Sequence, residues 1–359
     1  MKRILVSVTN DLSTDQRVAK VCSTLHNAGF DILLIGRKLK HSQPLNRNYK
    51  TKRIQLLFNK GFLFYAEYNF RLFLFLFFSS KDILLSNDTD TLLANYLVGK
   101  IQSKKLVFDS HELFSEIPEL VERPFVKRCW LQLEKWMIPK LKNSYTVSNS
   151  IANYYKKLYN SDFKVIKNLP LKQQVTTSSF PFETSDKKII LYQGAVNIDR
   201  GLELMIDSMQ HLNNHLFIII GDGDILQELK QLVHEKKLHN KVYFLGKLLP
   251  EMLKKLTPLA DIGISLEEDA GLNYRFSLPN KVFDYIQADV PIFVSDLPEM
   301  KQLIIDYQVG ETVRERKPKE IATQMNQLLA KDYSIQLSKA KEEFIWEKQE
   351  EVLLSIFKN

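Results

Sequence analysis

Short apolar runs, rich in β-branched residues, alternate along the chain with stretches whose apolar positions recur every three to four residues. Residues 4–8 are the first such run. Val18, Val21, Cys22 and Leu25 follow at helical spacing, and Gly29 closes that helix. Further runs at residues 32–35, 83–85, 106–108 and 145–147 each lie beside a helical stretch. Alternating β and α predicts a parallel sheet with right-handed crossovers. Residues 168–186 (NLPLKQQVTTSSFPFETSD) contain two prolines and many Ser and Thr, without periodicity, and read as a linker. The alternation then restarts with strands expected at 189–192, 216–220, 242–245, 262–265 and 292–294. From Ser334 onward the pattern is helical, with Phe344, Trp346, Val352, Leu353 and Phe357 as its apolar positions. The expected organisation is a first Rossmann-like domain over 1–167, a linker over 168–186, a second over 187–333 and a helical tail over 334–359.

Composition narrows this picture. A chain of 359 residues exceeds one ordinary core, and 45% hydrophobic with 26% charged residues is globular rather than disordered. Two cysteines exclude a disulfide framework and point to a reducing, cytoplasmic compartment. The start, MKRILVSVTND, reads as a first strand rather than a signal peptide. The net charge of +8 is uneven: residues 1–167 carry 27 Lys/Arg against 14 Asp/Glu, and the rest carry 23 against 28. A basic first half suits an anionic partner such as acidic lipid, a phosphorylated substrate or nucleic acid; plain solubility is the alternative. Residues 61–78 (GFLFYAEYNFRLFLFLFF) are dense in aromatics but interrupted by Glu67 and Arg71, and short for a membrane span. A buried helix and a membrane-contacting one, helped by Arg47, Lys50, Lys52, Arg53 and Lys60, are both open.

In doubly wound sheets ligands bind at the carboxyl ends of the strands, so the loops there hold the candidate chemistry. Gly194 follows a strand, and Arg200-Gly201 opens a helix, an arrangement suited to a diphosphate. In SLPNKVFDY, Pro279 fits a first helical turn with Ser277 as a possible cap. Lys281 then sits where the helix dipole disfavours a cation, unless an anion docks there; Arg275 is its rival. Gly221-Asp222-Gly223 is a tight turn, able to admit a nucleotide base or serving only as a connection. Ser13, Thr14 and Asp15 can cap the first helix. His111 and Glu112 follow a strand and can act as acid or base. Asp88-Thr89-Asp90 has the look of a metal-binding pair but is better explained as a helix cap.

Four segments, LYQGAVNIDRGLELMIDSM, FIIIGDGDILQEL, VYFLGKL and SLPNKVFDYIQADVPIFVSDLPEM, resemble in that order the donor-binding half of group-1 GT-B glycosyltransferases, the glycogen synthase and mannosyltransferase-like family. The resemblance implies two Rossmann-like domains facing a cleft, the first on the acceptor side and the second binding a nucleotide sugar. It places Arg200 at the family's phosphate-binding Lys, while Ala195 stands where a second cation is usual. Lys281, next to Asn280, would replace that cation, and Asp284 matches the carboxylate that binds the donor ribose. Gly194, Gly221 and Asp222 would line the donor site. The first Glu of the family's pair falls at Phe276, leaving Glu267, Glu268 or Asp269, with Glu268 preferred, to hold the sugar. Asp289 stands at a usual glycine. His111 would contact acceptor or donor sugar and, with Arg200 and Lys281, carry the catalysis. No metal or cofactor is implied.

The implied activity is a retaining transfer to a saccharide or lipid-linked acceptor in cell-envelope polysaccharide or glycolipid synthesis, peripheral on the inner face of the membrane. A nucleotide-sugar 2-epimerase shares the fold and is the enzymatic alternative; a nucleic-acid-binding protein is the non-enzymatic one. No basic motif interleaved with aromatics supports the latter, so nucleic acid is not an expected partner.

Overall fold

The computed structural model describes residues 1–13, 15–117, 120, 123–184 and 186–358. The chain forms two units, Met1–Asn168 together with the residues from Gln349 on, and Leu169–Lys348. The tail is therefore not one piece. Its helix Ser334–Glu343 belongs to the second unit, and most of Glu347–Lys358 groups with the first.

Among the described residues the first unit has a seven-stranded parallel sheet in the order β3-β2-β1-β4-β5-β6-β7. Its strands are β1 (Arg3–Ser7), β2 (Asp31–Lys38), β3 (Lys50–Gln55), β4 (Ile83–Asn87), β5 (Lys105–Ser110), β6 (Ser144–Thr146) and β7 (Lys164–Val165). Helix α1 (Gln16–Asn27) buries Val18, Val21, Cys22 and Leu25, the face its spacing predicts. Asp15 caps it by accepting the Val18 N–H at 2.9 Å; Thr14 lies outside the described residues. Helix α2 (Gly61–Phe78) buries only Phe64, Tyr68, Leu72 and Leu76, a single stripe packed with Leu5, Leu33 and Ile35. Phe62, Phe70 and Phe78 remain 77%, 63% and 81% exposed, so this is not the wholly buried helix that its composition allows. Helix α3 is Thr89–Ile101.

The second unit has six parallel strands among the described residues, ordered β10-β9-β8-β11-β12-β13. They are β8 (Lys188–Gln193), β9 (His215–Ile220), β10 (Val242–Gly246), β11 (Ile262–Ser265), β12 (Ile292–Val294) and β13 (Gly310–Thr312). The strand order reverses between β1 and β4 in one sheet and between β8 and β11 in the other, which marks the loops after those strands as the ligand-binding edges.

One helix of the second unit is fixed with particular care. Tyr285, on Asn280–Gln287, packs its ring over Gly263 of β11, where an added Cβ would come within 2.3 Å of the ring. The Tyr285 hydroxyl donates to the Leu191 and Ile264 carbonyls at 3.1 and 3.3 Å and accepts the Gln193 N–H at 3.1 Å. The helix stops at Ala288, and Asp289 takes a left-handed φ of 59°. That conformation explains why glycine is usual there; here the Asp289 carboxylate instead accepts a hydrogen bond from Lys341 at 2.5 Å.

Candidate functional site

In the second unit three segments converge on one buried carboxylate. Glu267, two residues beyond β11, has no exposed surface. Its Oε1 accepts from Lys281 Nζ at 2.8 Å and lies 3.5 Å from Arg200 Nη1, while Oε2 accepts from the Ser265 hydroxyl at 2.7 Å. The Tyr285 anchor sets Lys281, one turn earlier on the same helix face. The close approach of Gly201 to Leu266, where a Cβ would meet the Leu266 carbonyl oxygen at 2.3 Å, sets Arg200 beside it. Burial alone would raise the Glu267 pKa, but Lys281, Ser265 and Arg200 hold it below the ordinary carboxylate value. Burial draws Lys281 below the ordinary lysine value against the pull of Glu267. The two cations also meet aromatic faces, Lys281 Nζ 4.0 Å from the Tyr192 ring centre and Arg200 Cζ 5.2 Å from that of Tyr274. Arg200 Nε is buried without a hydrogen-bond partner among the described residues.

One local expectation is corrected. Ser277 does not cap the helix: its hydroxyl donates to the Tyr274 carbonyl at 2.8 Å, and Pro279 itself is the cap residue, with no side-chain bond. At the helix start the chain itself supplies one anion to Lys281, Glu267.

Gly194, at φ 136°, adjoins the same cluster: a Cβ there would lie 3.8 Å from Lys281 Cε. Its backbone supports the next loop, with the Gly194 N–H donating to the Ile220 carbonyl and the Val196 N–H to the Asp222 carbonyl. Gly221 must be glycine, since a Cβ would sit 1.8 Å from the Gly194 carbonyl oxygen. Together Gly194, Gly221, Asp222, Lys247 and Leu253 line an open groove of about 620 Å³. Asp284 accepts from Gln193 Nε2 at 3.1 Å, and Gln193 in turn accepts from Thr257. Asn280 is exposed at the helix start. Glu268 faces away from Lys281 and pairs with Arg316 at 3.1 Å, and Arg275 forms an exposed pair with Asp269 at 2.5 Å. Arg316 had no sequence signal: it braces the loop through the Leu266 carbonyl and the Ser295 hydroxyl, both at 3.1 Å.

The first unit places a second polar cluster at the ends of β4 and β5. His111 sits between two carboxylates, Nε2 3.0 Å from Asp109 and Nδ1 3.4 Å from Asp88. Asp109 is also held by both Nε and Nη2 of the buried Arg17. Asp88, at a left-handed φ of 55°, makes no side-chain cap for α3; its Oδ1 accepts the His111 N–H at 2.8 Å, which corrects the capping assignment. Burial disfavours a charged His111 ring, but Asp88 and Asp109 outweigh it and push the pKa up to about 9. Burial likewise lifts Asp88 to about 8 and Asp90 to about 7, with Glu112 adding like charge to both. His111 is thus a charged ring held by the ionised Asp109 on one side and by Asp88, whose neutral form burial favours, on the other, and Glu112 contributes to the negative field around it.

Residues 175–345 match the family described as glycosyl transferases group 1. An uncharacterised glycosyltransferase of Methanocaldococcus jannaschii is 25% identical over 184 residues, 48% of this chain and 45% of the relative. The chitobiosyldiphosphodolichol beta-mannosyltransferase of Candida albicans is 24% identical over 255 residues, 64% of this chain and 55% of the relative. The chain spans about half the length of these curated relatives. Among solved structures, the sucrose-phosphate synthase of Thermosynechococcus elongatus superposes with a TM-score of 0.82 at 15% identity, covering 100% of this chain and 98% of the other. The Anabaena protein HepE in complex with UDP-glucose gives 0.74 at 14% identity, with both chains fully covered. The fold is that of the GT-B glycosyltransferases.

Proposed function

We infer that this chain, whose residues 175–345 match the glycosyl transferases group 1, transfers a glycosyl group from a nucleotide sugar to a saccharide or lipid-linked acceptor. The observation that carries the reading is the convergence of Arg200 and Lys281 on Glu267, beside the groove lined by Gly194 and Gly221. The donor's base and ribose occupy that groove, with Asp284 near the ribose, and the diphosphate meets the two cations. HepE, a relative in fold, was solved with UDP-glucose. As the bond from the anomeric carbon to the phosphate oxygen breaks, negative charge grows on the diphosphate, and cations fixed in advance stabilise it. Arg200 and Lys281 supply that charge, so the reaction runs without a metal ion.

The transfer retains configuration. The acceptor oxygen bonds to the anomeric carbon on the face the phosphate leaves, and its proton passes to the departing diphosphate, which makes a protein nucleophile unnecessary. Catalysis takes place at the cytoplasmic face of a membrane, in polysaccharide or glycolipid synthesis. The exposed aromatic face of α2 and a relative whose name specifies a dolichol-linked substrate support this part. The test is a thermal-shift screen over UDP, GDP and their sugars, since a ligand at about 100 times its dissociation constant adds roughly 2.7 kcal/mol of stability. Stabilisation by one nucleotide family is expected. No response to any nucleotide or nucleotide sugar removes the proposal, and an inverted anomer in the product, seen by NMR, removes its stereochemical part.

A further inference from the structure

The first unit carries a cavity of about 650 Å³ at the carboxyl ends of β2 and β3, lined among others by Lys38, Lys40, His41, Asp11, Gln55 and Asn59. It lies on the edge of the sheet where a parallel fold binds its ligands, yet it takes no part in the donor chemistry. Its charge is positive. The Asp11 carboxylate accepts the Ser13 N–H at 2.9 Å and has Arg53 Nη2 at 3.8 Å, so its charge is already answered. These contacts keep it ionised, with a pKa below the ordinary value although burial opposes this. Lys38 and Lys40 are exposed, and neither forms an ion pair with any described residue. Two uncompensated ammonium groups thus border a concave site beside a histidine.

Leu57 and Phe58, just before Asn59, and Phe62, three residues after it, are apolar and face solvent. Leu57 is 78% exposed, and Phe58 and Phe62 are exposed as well. They adjoin the lining residues Leu56 and Asn59 along the chain, and exposed apolar residues next to a cavity mark an interaction site. Cations inside and apolar residues alongside fit a ligand that is anionic at one end and hydrocarbon at the other. Phosphate is the anion that lysine ammonium groups recognise as point charges.

We propose that this cavity holds the phosphate or diphosphate headgroup of a lipid-linked acceptor, with the first isoprenoid or acyl segment lying on Leu57, Phe58 and Phe62. This rests on the glycosyltransferase reading and specifies its acceptor. The acceptor's phosphate is then recognised apart from the donor's diphosphate, by different lysines on a different sheet.

The test is calorimetric titration of the full chain with farnesyl diphosphate, inorganic diphosphate and farnesol. It is run in the presence of whichever nucleotide stabilises the protein, so that Arg200 and Lys281 are occupied. Farnesyl diphosphate should bind at least about tenfold more tightly than inorganic diphosphate, and farnesol should not bind measurably. Lys38→Ala/Lys40→Ala and, separately, Leu57→Ser/Phe58→Ser should each weaken farnesyl diphosphate by about tenfold or more. All four side chains are exposed, and an unchanged denaturation midpoint verifies the fold. Equal affinity for inorganic and farnesyl diphosphate, or farnesyl diphosphate binding unaffected by the lysine pair, overturns the proposal. If no nucleotide stabilises the protein, the glycosyltransferase reading fails by itself, and the comparison of the lysine variant with the native chain still decides the fate of this cavity.

Discussion

Lys281 is a cation buried in the first turn of a helix, where the dipole opposes it, and Glu267 makes that placement tolerable. The same geometry predicts how variants behave. Arg200→Ala removes a partly exposed guanidinium and should leave the fold intact while lowering turnover by about one to two orders of magnitude, the effect of losing a charge-assisted contact to a developing anion. Lys281→Ala should lower turnover as strongly but also cost roughly 3–5 kcal/mol of stability, because it strands the Glu267 carboxylate in the interior. Steady-state kinetics with urea denaturation separates the two effects, and near-native turnover in both variants ends the assignment. His111 gives a second residue-scale prediction. Its ring should titrate near 9, read from the imidazole carbon-bound proton by NMR, against an ordinary value of 6.5. Because the folded pKa is raised, the stability it contributes is fully present below about 6.5 and is lost as the pH climbs through about 9. Asp109→Asn should bring the midpoint down towards the ordinary value; a wild-type midpoint already near 6.5 contradicts the carboxylate bracket.

The helix Asn280–Gln287 shows how an element delivers a functional side chain. Gly263 leaves room for the Tyr285 ring, and Tyr285 fixes the helix against β8 and β11. Gly263→Ala places a methyl group into a rigid ring, so overpacking should cost about 1–3 kcal/mol and displace Lys281. Chemical denaturation together with the donor KM checks this, and an unchanged KM despite lost stability means the helix does not set the site. The elements differ in how legible they were in the sequence. Strands buried on both faces, such as β9 with six consecutive buried residues, stand out as apolar runs. β3, KTKRIQ, is an edge strand with both faces partly solvated and carries no such run, and it pairs only because β2 lies beside it. β13 is three residues long, and Gly310 passes so close to Ile292 that a Cβ would sit 1.8 Å from its carbonyl oxygen. Within the candidate site, the sequence singles out Gly194, Arg200 and Lys281, where a residue type is bound to a chain position, and the fold brings the three together. Glu267 and Glu268 are neighbours directly after the continuously apolar run of β11, so periodicity gave no basis for choosing which of them is buried and which is exposed. Only the two-residue step from Ser265, which puts both side chains on one side of the chain, decides which glutamate enters the core. Asp88 was obscure for a different reason: its left-handed backbone turns the carboxylate from the helix end to His111, and no local pattern encodes that.

At the scale of the molecule, charge and exposed apolar surface occur together in the first unit. Residues 1–167 hold 27 of the 50 basic residues but only 14 of the 42 acidic ones, whereas the remainder of the chain is net acidic. Within that basic half, α2 turns Phe62, Phe70 and Phe78 outward, while Lys52 Nζ lies 4.4 Å from the Phe75 ring centre. The helix is long and apolar enough to cross a bilayer by length and composition. Its Phe64-Tyr68-Leu72-Leu76 stripe is nevertheless committed to the sheet, and Glu67 pairs with Arg71 at 2.7 Å while accepting the Leu57 and Phe58 N–H groups. An element fixed on one side and apolar on the other is suited to lying on a membrane rather than spanning it. Each surface Lys or Arg near an anionic leaflet adds about 1 kcal/mol, and the exposed rings add hydrophobic contact. The expected behaviour is reversible binding to vesicles containing phosphatidylserine, weakened by high salt because Debye screening shortens to about 3 Å at 1 M. Phe62→Ser/Phe70→Ser/Phe78→Ser should weaken binding at every salt concentration, whereas replacing Lys52 and Lys60 by Ala should act chiefly at low salt. Co-sedimentation reads both effects. Protein that stays in the supernatant with anionic vesicles at low salt rules out the membrane role and leaves a soluble acceptor as the better assignment.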